Sequence, residues 1–326
     1  MGPSSAKLKI LALHGFMDNA GTYDTLAPYL TGGAALELAE APSHLTTRLP
    51  LSSTSNSTST SLPAIAGVAT KSAEQASGSS SLSSVVQLVA LDFVGHGLSD
   101  HLGPDGAYSF YTYLKHVTHV IAALGWSKVV LMGHSMGGHV AAYAAGMLPD
   151  IVTGVVFLDA PVYLIKAEVM PTILANSARA EAAAVRMEPR YRVYPSKDAM
   201  AVRLASSLLD RAESRAESLG LPVPPVVSAY DARVLMERGS RPYKDGFRFA
   251  HDPRLKLSSG QFFTQEIFDA YAARATCPSI QIASDRGSFS DGVTALAKAF
   301  NSTIHIILDF LFDTAHLHVA DIPSRL

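Results

Sequence analysis

Residues 129–138 read VVLMGHSMGG and contain the pattern Gly-x-Ser-x-Gly at Gly133, Ser135 and Gly137. An apolar run precedes the pattern, and a small-residue stretch that suits a helix, His139–Leu148, follows it. When a serine stands in a sharp turn between a strand and a helix, the residues two positions before and after it must be glycine. A Cβ atom at either position would collide with the adjoining backbone. The pattern therefore predicts that Ser135 is a nucleophile.

Short apolar runs alternate with helical patterns along much of the chain. The clearest runs are Lys7–Leu13, Val85–Leu91, Val129–Met132, Gly154–Leu158, Ser279–Ala283 and Thr303–Leu308. Runs such as VVQLVAL are apolar almost throughout, which is typical of parallel strands buried on both faces. Between two of them, apolar residues recur at spacings of three and four from Leu114 to Leu124, which predicts a helix over Tyr111–Leu124. The alternation predicts an α/β fold.

Two segments interrupt this alternation. Residues 32–84 contain SSTSNSTSTS and SGSSSLSS, whose low hydrophobicity cannot offset the entropy cost of ordering, so we expect a mostly disordered insertion there. Residues 162–276 are rich in Ala, Arg, Glu and Leu, and they predict a mainly helical block over the carboxyl ends of the strands. We therefore expect a core formed by residues 1–161 and 277–326, with residues 162–276 as a helical lid.

The composition excludes several classes of protein. Of the 326 residues, 48% are apolar, which is enough for a large core and excludes a wholly disordered chain. The 26 Lys and Arg against 28 Asp and Glu lack the basic surplus of nucleic-acid binders, and no apolar run reaches the ~18–20 residues that span a bilayer. A single cysteine, Cys277, indicates a reduced compartment and no paired-cysteine metal module. We expect neither a metal nor a cofactor.

A serine nucleophile requires a histidine base and a carboxylate that orients the base. In the chain order that accompanies this kind of serine turn, the acid follows a late strand and the histidine comes last. Asp285 follows a late apolar run and fits this order, while Asp159, after an earlier run, is the alternative. His316 and His318 both follow the last run. We favour His316, which stands nearer the tip of its loop, and keep His318 as the alternative.

The reaction also needs two N–H donors for the oxyanion of the tetrahedral intermediate. Met136, the residue after the nucleophile, is positioned to supply one of them. The second donor belongs to a loop after an early strand, and His14-Gly15-Phe16 follows the first apolar run. We therefore expect the backbone N–H groups of Phe16 and Met136 to form the oxyanion hole.

Three stretches together resemble the α/β-hydrolase superfamily. They are LHGFMDNAG at residues 13–21, LDFVGHGLSD at residues 91–100 and GHSMGG at residues 133–138. The pattern His-Gly-x-x-Asp-Asn-Ala in the first stretch, and the segments YPS at 194–196, GFRF at 246–249 and DPRL at 252–255, are similar to the serine hydrolase-like protein family. The resemblance implies a mostly parallel central sheet flanked by helices with a helical lid, and its triad positions map onto Ser135, Asp285 and His316.

We therefore expect a serine hydrolase that cleaves a carboxylic ester or thioester of a small hydrophobic substrate through an acyl-enzyme intermediate, without a cofactor. The apolar residues of the predicted lid, Met170, Ile173, Leu174 and Tyr191, favour the hydrophobic substrate. The alternative is a catalytically weak or inactive small-molecule binding protein that keeps the hydrolase shell, because the sequence ends at Leu326 where the family usually continues into a further helix.

The two ends of the sequence bear on location. The last three residues, Ser324-Arg325-Leu326, resemble the Ser-Lys-Leu address that a peroxisomal import receptor binds, and the family has been associated with peroxisomes. The N-terminal residues, MGPSSAKLKI, lack the apolar core of a signal peptide. We expect a peroxisomal or cytoplasmic protein that is not secreted.

Overall fold

The computed structural model describes residues 5–31, 68–69, 86–103, 105–160, 164–185, 191–219, 228–257, 263–284, 296, 300 and 303–307. The strands in this part of the chain are β1 (Leu8–Leu13), β2 (Val68–Ala69), β3 (Val86–Leu91), β4 (Val129–His134), β5 (Val152–Leu158), β6 (Ser240–Tyr243), β7 (Gly246–Phe249), β8 (Ser279–Ser284) and β9 (Thr303–Ile307). The helices are α1 (Ala27–Leu30), α2 (Phe110–Ala123), α3 (Met136–Met147), α4 (Met170–Val185), α5 (Lys197–Leu219), α6 (Ala229–Gly239) and α7 (Gln265–Ala272). Short 3-10 helices occupy Ala20–Tyr23, Ala167–Val169 and Pro253–Lys256.

The strands form one large sheet in the order β2-β3-β1-β4-β5-β8-β9, with β6 and β7 as a separate hairpin. Neighbouring strands of the large sheet run parallel, except that β2 pairs antiparallel with β3. This confirms the predicted α/β fold with a mostly parallel central sheet. Within the predicted insertion, Val68–Ala69 pairs with Ala90 and Leu91 and forms an edge strand. The other residues between 32 and 85 lie outside the described part of the chain.

Both faces of the sheet are buried, as the apolar runs predicted. On one face Leu11, Leu13 and Leu131 join a cluster with residues of α2, α3 and α7. On the other face Ile10 and Met132 pack with residues of α1 and the first 3-10 helix. Because successive side chains of a strand point to opposite faces, a strand covered on both sides is apolar at nearly every position. The helices on the two sides hold the sheet between them.

The predicted helix over Tyr111–Leu124 is observed as α2, which begins one residue earlier. Ser109 caps its first turn by accepting a hydrogen bond of 3.2 Å from the Thr112 N–H. The helix gives way after Ala123 to Gly125, whose φ of 65° is a left-handed conformation that glycine adopts without strain. The apolar stripe of the helix is buried against the sheet.

Between β5 and β8 the chain forms α4, α5, α6 and α7 together with the β6–β7 hairpin. The sequence predicted helices in this block but not the hairpin. Hydrogen bonds join the end of the block to the loop after β3. The Asp252 N–H donates to the Gly95 carbonyl at 2.8 Å, and Arg241 Nη2 donates to the Ser99 carbonyl at 2.8 Å. This part of the block is therefore fixed to the carboxyl end of the sheet, whereas its boundaries as a separate lid stay a prediction.

Candidate active site

Ser135 lies in the turn between β4 and α3, with a φ of 49° and a ψ of −117°. A positive φ is uncommon for a residue that carries a Cβ atom, and such strained residues cluster at functional sites. Glycine is required on both sides of it. A Cβ atom on Gly133 would lie 2.4 Å from the backbone of Gly137, and one on Gly137 would lie 2.0 Å from the Leu13 carbonyl oxygen. The strand, the sharp turn and the helix therefore have the geometry that the sequence pattern predicted.

The turn after β1 lies against the serine. A Cβ atom built on Gly15 would be 3.0 Å from His134 Nδ1 and 3.5 Å from Ser135 Cβ, so the backbones of the two turns are in close contact. Phe16 follows, and its N–H donates a hydrogen bond to none of the described residues. Met136 is the first residue of α3, where backbone N–H groups have no partner within the helix. The two predicted oxyanion donors thus belong to adjoining turns.

The His14 side chain fixes the turn that carries Phe16. Its Nε2 accepts a hydrogen bond of 3.0 Å from the Phe93 N–H, and its Nδ1 lies 2.7 Å from the Gly15 carbonyl oxygen. Since Nε2 accepts, the proton resides on Nδ1 and is donated to Gly15. Burial lowers the pKa of His14 to about 3, because the imidazolium would lose its hydration. A neutral histidine therefore joins the turn after β1 to the loop after β3.

The two predicted acids follow β5 and β8, the next two strands of the sheet after β4. The Ser135 N–H donates to the Leu158 carbonyl at 3.1 Å, and the following residue, Asp159, donates through its own N–H to the Ile282 carbonyl at 2.7 Å. Asp159 has a φ of 42°, which is a second strained position at this edge of the sheet. Asp285 comes directly after β8, the strand beside β5. The structure thus brings Ser135, the Phe16 turn and Asp159 to one edge, whereas Asp285, His316 and His318 lie outside the described residues.

Comparisons with known proteins agree with this geometry. A family profile described as alpha/beta hydrolase fold matches residues 62–247, which is more than half of the chain. The chain belongs to the α/β-hydrolase family. The result confirms the superfamily that the motifs indicated.

Two relatives of this α/β-hydrolase carry the name that the finer motifs suggested. A serine hydrolase-like protein of Danio rerio is 28% identical over 79% of the chain, and serine hydrolase-like protein 2 of Homo sapiens is 29% identical over 55%. The chain spans 59% and 53% of the lengths of these relatives. A crystal structure of a hypothetical protein of Pseudomonas aeruginosa PAO1 is similar to 94% of the chain, covering 85% of its own, with a TM-score of 0.64 and 25% identity.

Tyr23 connects the turn after β1 to the turn after β4 in the α/β-hydrolase site. Its hydroxyl donates to the Leu13 carbonyl at 2.7 Å and accepts a hydrogen bond from the His134 N–H at 3.1 Å. The side chain is fully buried, and this burial raises its pKa above the ordinary tyrosine value. It therefore links the last residue of β1 to the last residue of β4. The sequence analysis did not identify Tyr23, because no local pattern distinguishes it from other buried tyrosines.

A buried ion pair connects the helical block to the turns around the site. Asp92, which is fully buried, accepts hydrogen bonds from the Ala20 N–H at 2.7 Å and from the Leu98 N–H at 2.9 Å. Arg238 at the end of α6 donates to the same carboxylate through Nη2 at 2.6 Å. Asn19 Nδ2 also donates to the Leu235 carbonyl of α6 at 3.0 Å. Sequence reasoning missed Arg238, since its partner is 146 residues away.

Asp18 brings a further carboxyl group into the turn after β1. It accepts hydrogen bonds from the Asn19 N–H at 2.8 Å and from the Thr22 hydroxyl. Burial raises its pKa to about 6, and the nearby Asp92 charge acts in the same direction. Met17 beside it has a φ of 61°. The turn that carries Phe16 is thus held by hydrogen bonds in a strained conformation.

Several histidines outside the predicted triad are packed in the core. His96 is fully buried, its ring centroid is 5.0 Å from that of His14, and burial lowers its pKa to about 3. Within the described ranges, histidine, cysteine and acidic side chains form no group of three that is able to hold a metal ion. In the same ranges no helix is both long and apolar enough to cross a bilayer.

Proposed function

We propose that the protein is a serine hydrolase that cleaves a carboxylic ester or thioester through an acyl-enzyme intermediate. The observation that carries the proposal is the strained Ser135 in its turn, in contact with the loop that bears Phe16. Strain of this kind persists only where the surroundings hold it, and it presents the serine oxygen at the carboxyl edge of the sheet. The family membership and the names of the relatives support the same chemistry.

In the proposed reaction the Ser135 hydroxyl oxygen attacks the substrate carbonyl carbon while His316 takes the hydroxyl proton. The negative charge on the carbonyl oxygen is stabilised by the N–H groups of Phe16 and Met136. When the bond to the leaving group breaks, His316 returns the proton to the leaving oxygen or sulfur. Water then attacks the acyl-enzyme with His316 as base, which releases the acid and restores the serine. Asp285 orients the imidazole throughout.

We propose a hydrophobic acyl or alcohol group as the part of the substrate nearest the serine. The Phe16 side chain directly after the Gly15 turn is 52% exposed, so it offers apolar surface next to the reacting centre. Burying such surface against a ligand is favourable at about 25 cal/mol per Å². Replacing Phe16 by Ala keeps the N–H donor but removes the ring, so we expect KM to rise for long-chain esters and to change little for acetate esters.

The decisive test of the proposal is labelling of the full chain by a fluorophosphonate probe. We expect covalent labelling of the wild type, no labelling of Ser135→Ala, and hydrolysis of p-nitrophenyl esters or acyl thioesters that is lost in the same variant. Ser177, which is buried on α4, offers a control serine outside the strained turn, and Ser177→Ala should keep the labelling. Absence of labelling in folded wild-type protein would refute the hydrolase and favour the small-molecule binding protein.

Paired substitutions identify the acid and the base. We expect Asp285→Asn and His316→Ala to lower kcat by about 10³- to 10⁴-fold, as the loss of a triad member does. Asp159→Asn and His318→Ala should retain most of the activity. If Asp159→Asn abolishes activity and Asp285→Asn does not, Asp159 is the acid. If His318→Ala abolishes activity and His316→Ala does not, His318 is the base.

We also propose that Ser324-Arg325-Leu326 is bound by a peroxisomal import receptor. The tripeptide keeps the small first residue, the cationic second residue and the leucine of the Ser-Lys-Leu address. A fluorescent protein fused to the N-terminus of the chain should accumulate in peroxisomes. Deletion of the tripeptide should release it to the cytoplasm, and an unchanged distribution would contradict the proposal.

A further inference from the structure

One face of the β6–β7 hairpin carries two arginines and a tyrosine. Arg241 of β6 and Arg248 of β7 are directly opposite each other in the antiparallel register, so their side chains leave the hairpin on the same face. Tyr243, two residues after Arg241, shares that face. Like charges directly opposite each other destabilise a strand pair. This arrangement therefore costs stability unless another group offsets it.

Aromatic rings fix the position of the Arg248 guanidinium. Its central carbon lies 4.0 Å from the centroid of the Tyr191 ring and 5.7 Å from that of Tyr243. One nitrogen, Nη1, donates to the Phe249 carbonyl at 3.3 Å. The other nitrogens donate to none of the described residues. A planar donor group is thus held in place with N–H groups left for a ligand.

Within the described residues, no ion pair neutralises the positive charge around Arg248. Lys244 Nζ lies 5.5 Å from the Tyr243 ring centroid and Arg192 lies 5.1 Å from the Tyr194 ring centroid. Across the described part of the chain no carboxylate forms an ion pair with Arg192, Arg241, Lys244 or Arg248.

The acidic groups of the same segment reduce this positive charge but do not cancel it. Asp245 stands in the hairpin turn, and Asp252 is paired with Arg254 at 2.7 Å. The segment therefore holds a local excess of cations although the whole chain has a net charge of −2.

We propose that this face, the Arg248 patch formed by Tyr191, Arg241, Tyr243, Lys244 and Arg248, binds the oxyanion group of a small molecule, a phosphate or a carboxylate. A guanidinium fork matches the geometry of both groups through two parallel hydrogen bonds. The tyrosines hold the fork without neutralising it. Binding of an anion would place a counter-charge beside Arg248, while Arg241 already donates to the Ser99 carbonyl.

The position of the patch suggests that the oxyanion belongs to the hydrolysed molecule, an inference that rests on the proposed function. Arg241 Nη2 donates to the Ser99 carbonyl in the loop after β3. In a parallel sheet the loops after the strands lie at one edge, and Ser135 follows β4 at that edge. The expected substrate class is an ester or thioester that carries a phosphate or carboxylate away from the scissile bond.

Binding is tested by titrating inorganic pyrophosphate into the full chain in a calorimeter. We expect saturable binding to the wild type and a loss of about 10- to 100-fold in affinity in Arg248→Gln, since charge-assisted hydrogen bonds are removed. Arg203→Gln removes an exposed arginine of α5 and should leave the affinity unchanged. Arg248→Lys keeps the charge without the fork and should show a smaller loss. The proposal is overturned if the wild type shows no saturable binding. It is also overturned if Arg248→Gln, Arg248→Lys and the wild type bind pyrophosphate with equal affinity.

Kinetics distinguish an oxyanion on the substrate from a free anion. We compare p-nitrophenyl butyrate, which is neutral, with the mono-p-nitrophenyl ester of glutarate, which carries a carboxylate. If the substrate bears the oxyanion, Arg248→Gln raises KM for the glutarate ester alone and pyrophosphate inhibits its hydrolysis competitively. If a free anion is the ligand, pyrophosphate binding is lost in the variant while both KM values stay unchanged. Failure of the wild type to hydrolyse either ester refutes the hydrolase, and the calorimetric result still decides the oxyanion site.

Discussion

Replacing Arg238 by Met tests whether the helical block is anchored to the site through Asp92. The side chain of Arg238 is 12% exposed and that of Asp92 is fully buried. Two of the guanidinium nitrogens donate to Asp92 Oδ2, at 2.6 Å from Nη2 and at 3.1 Å from Nε. Met has a similar length and fits an apolar environment, so the substitution removes the charge and the donors without leaving a large cavity.

The expected cost follows from the state in which Asp92 is left. Breaking a buried ion pair by removing one partner costs about 3–5 kcal/mol, because the remaining charge is buried without compensation. Asp92 keeps the N–H groups of Ala20 and Leu98, which places the expected loss near the lower limit, at about 3 kcal/mol. Asp92→Asn removes the charge, and the variant with both substitutions should therefore be more stable than the sum of the two single losses predicts.

The assay is urea unfolding at pH 7.5, with Arg233→Met as the matched control. Arg233 lies on the same helix and contacts two carboxylates, Glu237 and Asp198, whose side chains are 50% and 79% exposed. Exposed ion pairs contribute about 0–1 kcal/mol, so this control should lose less than 1 kcal/mol. The reasoning is refuted if Arg238→Met loses no more than Arg233→Met. We also expect Arg238→Met to lower kcat for ester hydrolysis more than it raises KM, because Asp92 holds the turn that carries Phe16.

Three further predictions concern the core of the site. Gly137→Ala places a Cβ atom 2.0 Å from a carbonyl oxygen, so we expect a loss of about 3 kcal/mol or failure to fold in urea unfolding. The fully buried amide of Gln281 has no hydrogen-bond partner among the described residues, so Gln281→Met should raise the free energy of unfolding by about 1–3 kcal/mol, and a loss would mean that the amide is bonded. Burial lowers the pKa values of His14 and His96 to about 3, so between about pH 6.5 and pH 3 these side chains bind protons only in the unfolded state. The free energy of unfolding should therefore fall by about 2 kcal/mol for each histidine between pH 7.5 and pH 5. This fall outweighs the opposite contribution of Asp18, whose pKa is raised to about 6, and a stability that is constant over this range would contradict the prediction.

The strands and the nucleophile turn were predictable because their signals are local. A parallel strand covered on both faces is apolar at nearly every position, so β1, β3, β4 and β8 were recognised to within a residue or two. The Gly-x-Ser-x-Gly pattern specified Ser135 because each glycine faces backbone atoms that leave no space for a Cβ atom. The hairpin β6–β7 was not predicted, because Arg241 and Pro242 interrupt the apolar alternation by which a strand is recognised.

The supports of the site were not predictable, since they join segments that are far apart in the sequence. Tyr23 contacts His134, which is 111 residues away, and Arg238 contacts Asp92 across 146 residues. Neither residue belongs to a motif of its own, and a single sequence does not reveal which buried polar groups find each other. His14 is an intermediate case, because its motif indicated a turn but not the hydrogen bond from Phe93 that fixes the turn.

Among the described residues, the contacts that hold Ser135 in its strained conformation are made by backbone atoms and by the Tyr23 hydroxyl. They are the close packing of Gly133 on Gly137, the hydrogen bond from the Ser135 N–H to Leu158, and the Tyr23 hydroxyl on the His134 N–H. The turn should therefore keep its shape in a protein that has lost the acid or the histidine. The shape of the turn therefore does not distinguish a hydrolase from a binding protein on this fold, and the fluorophosphonate reaction has to decide activity.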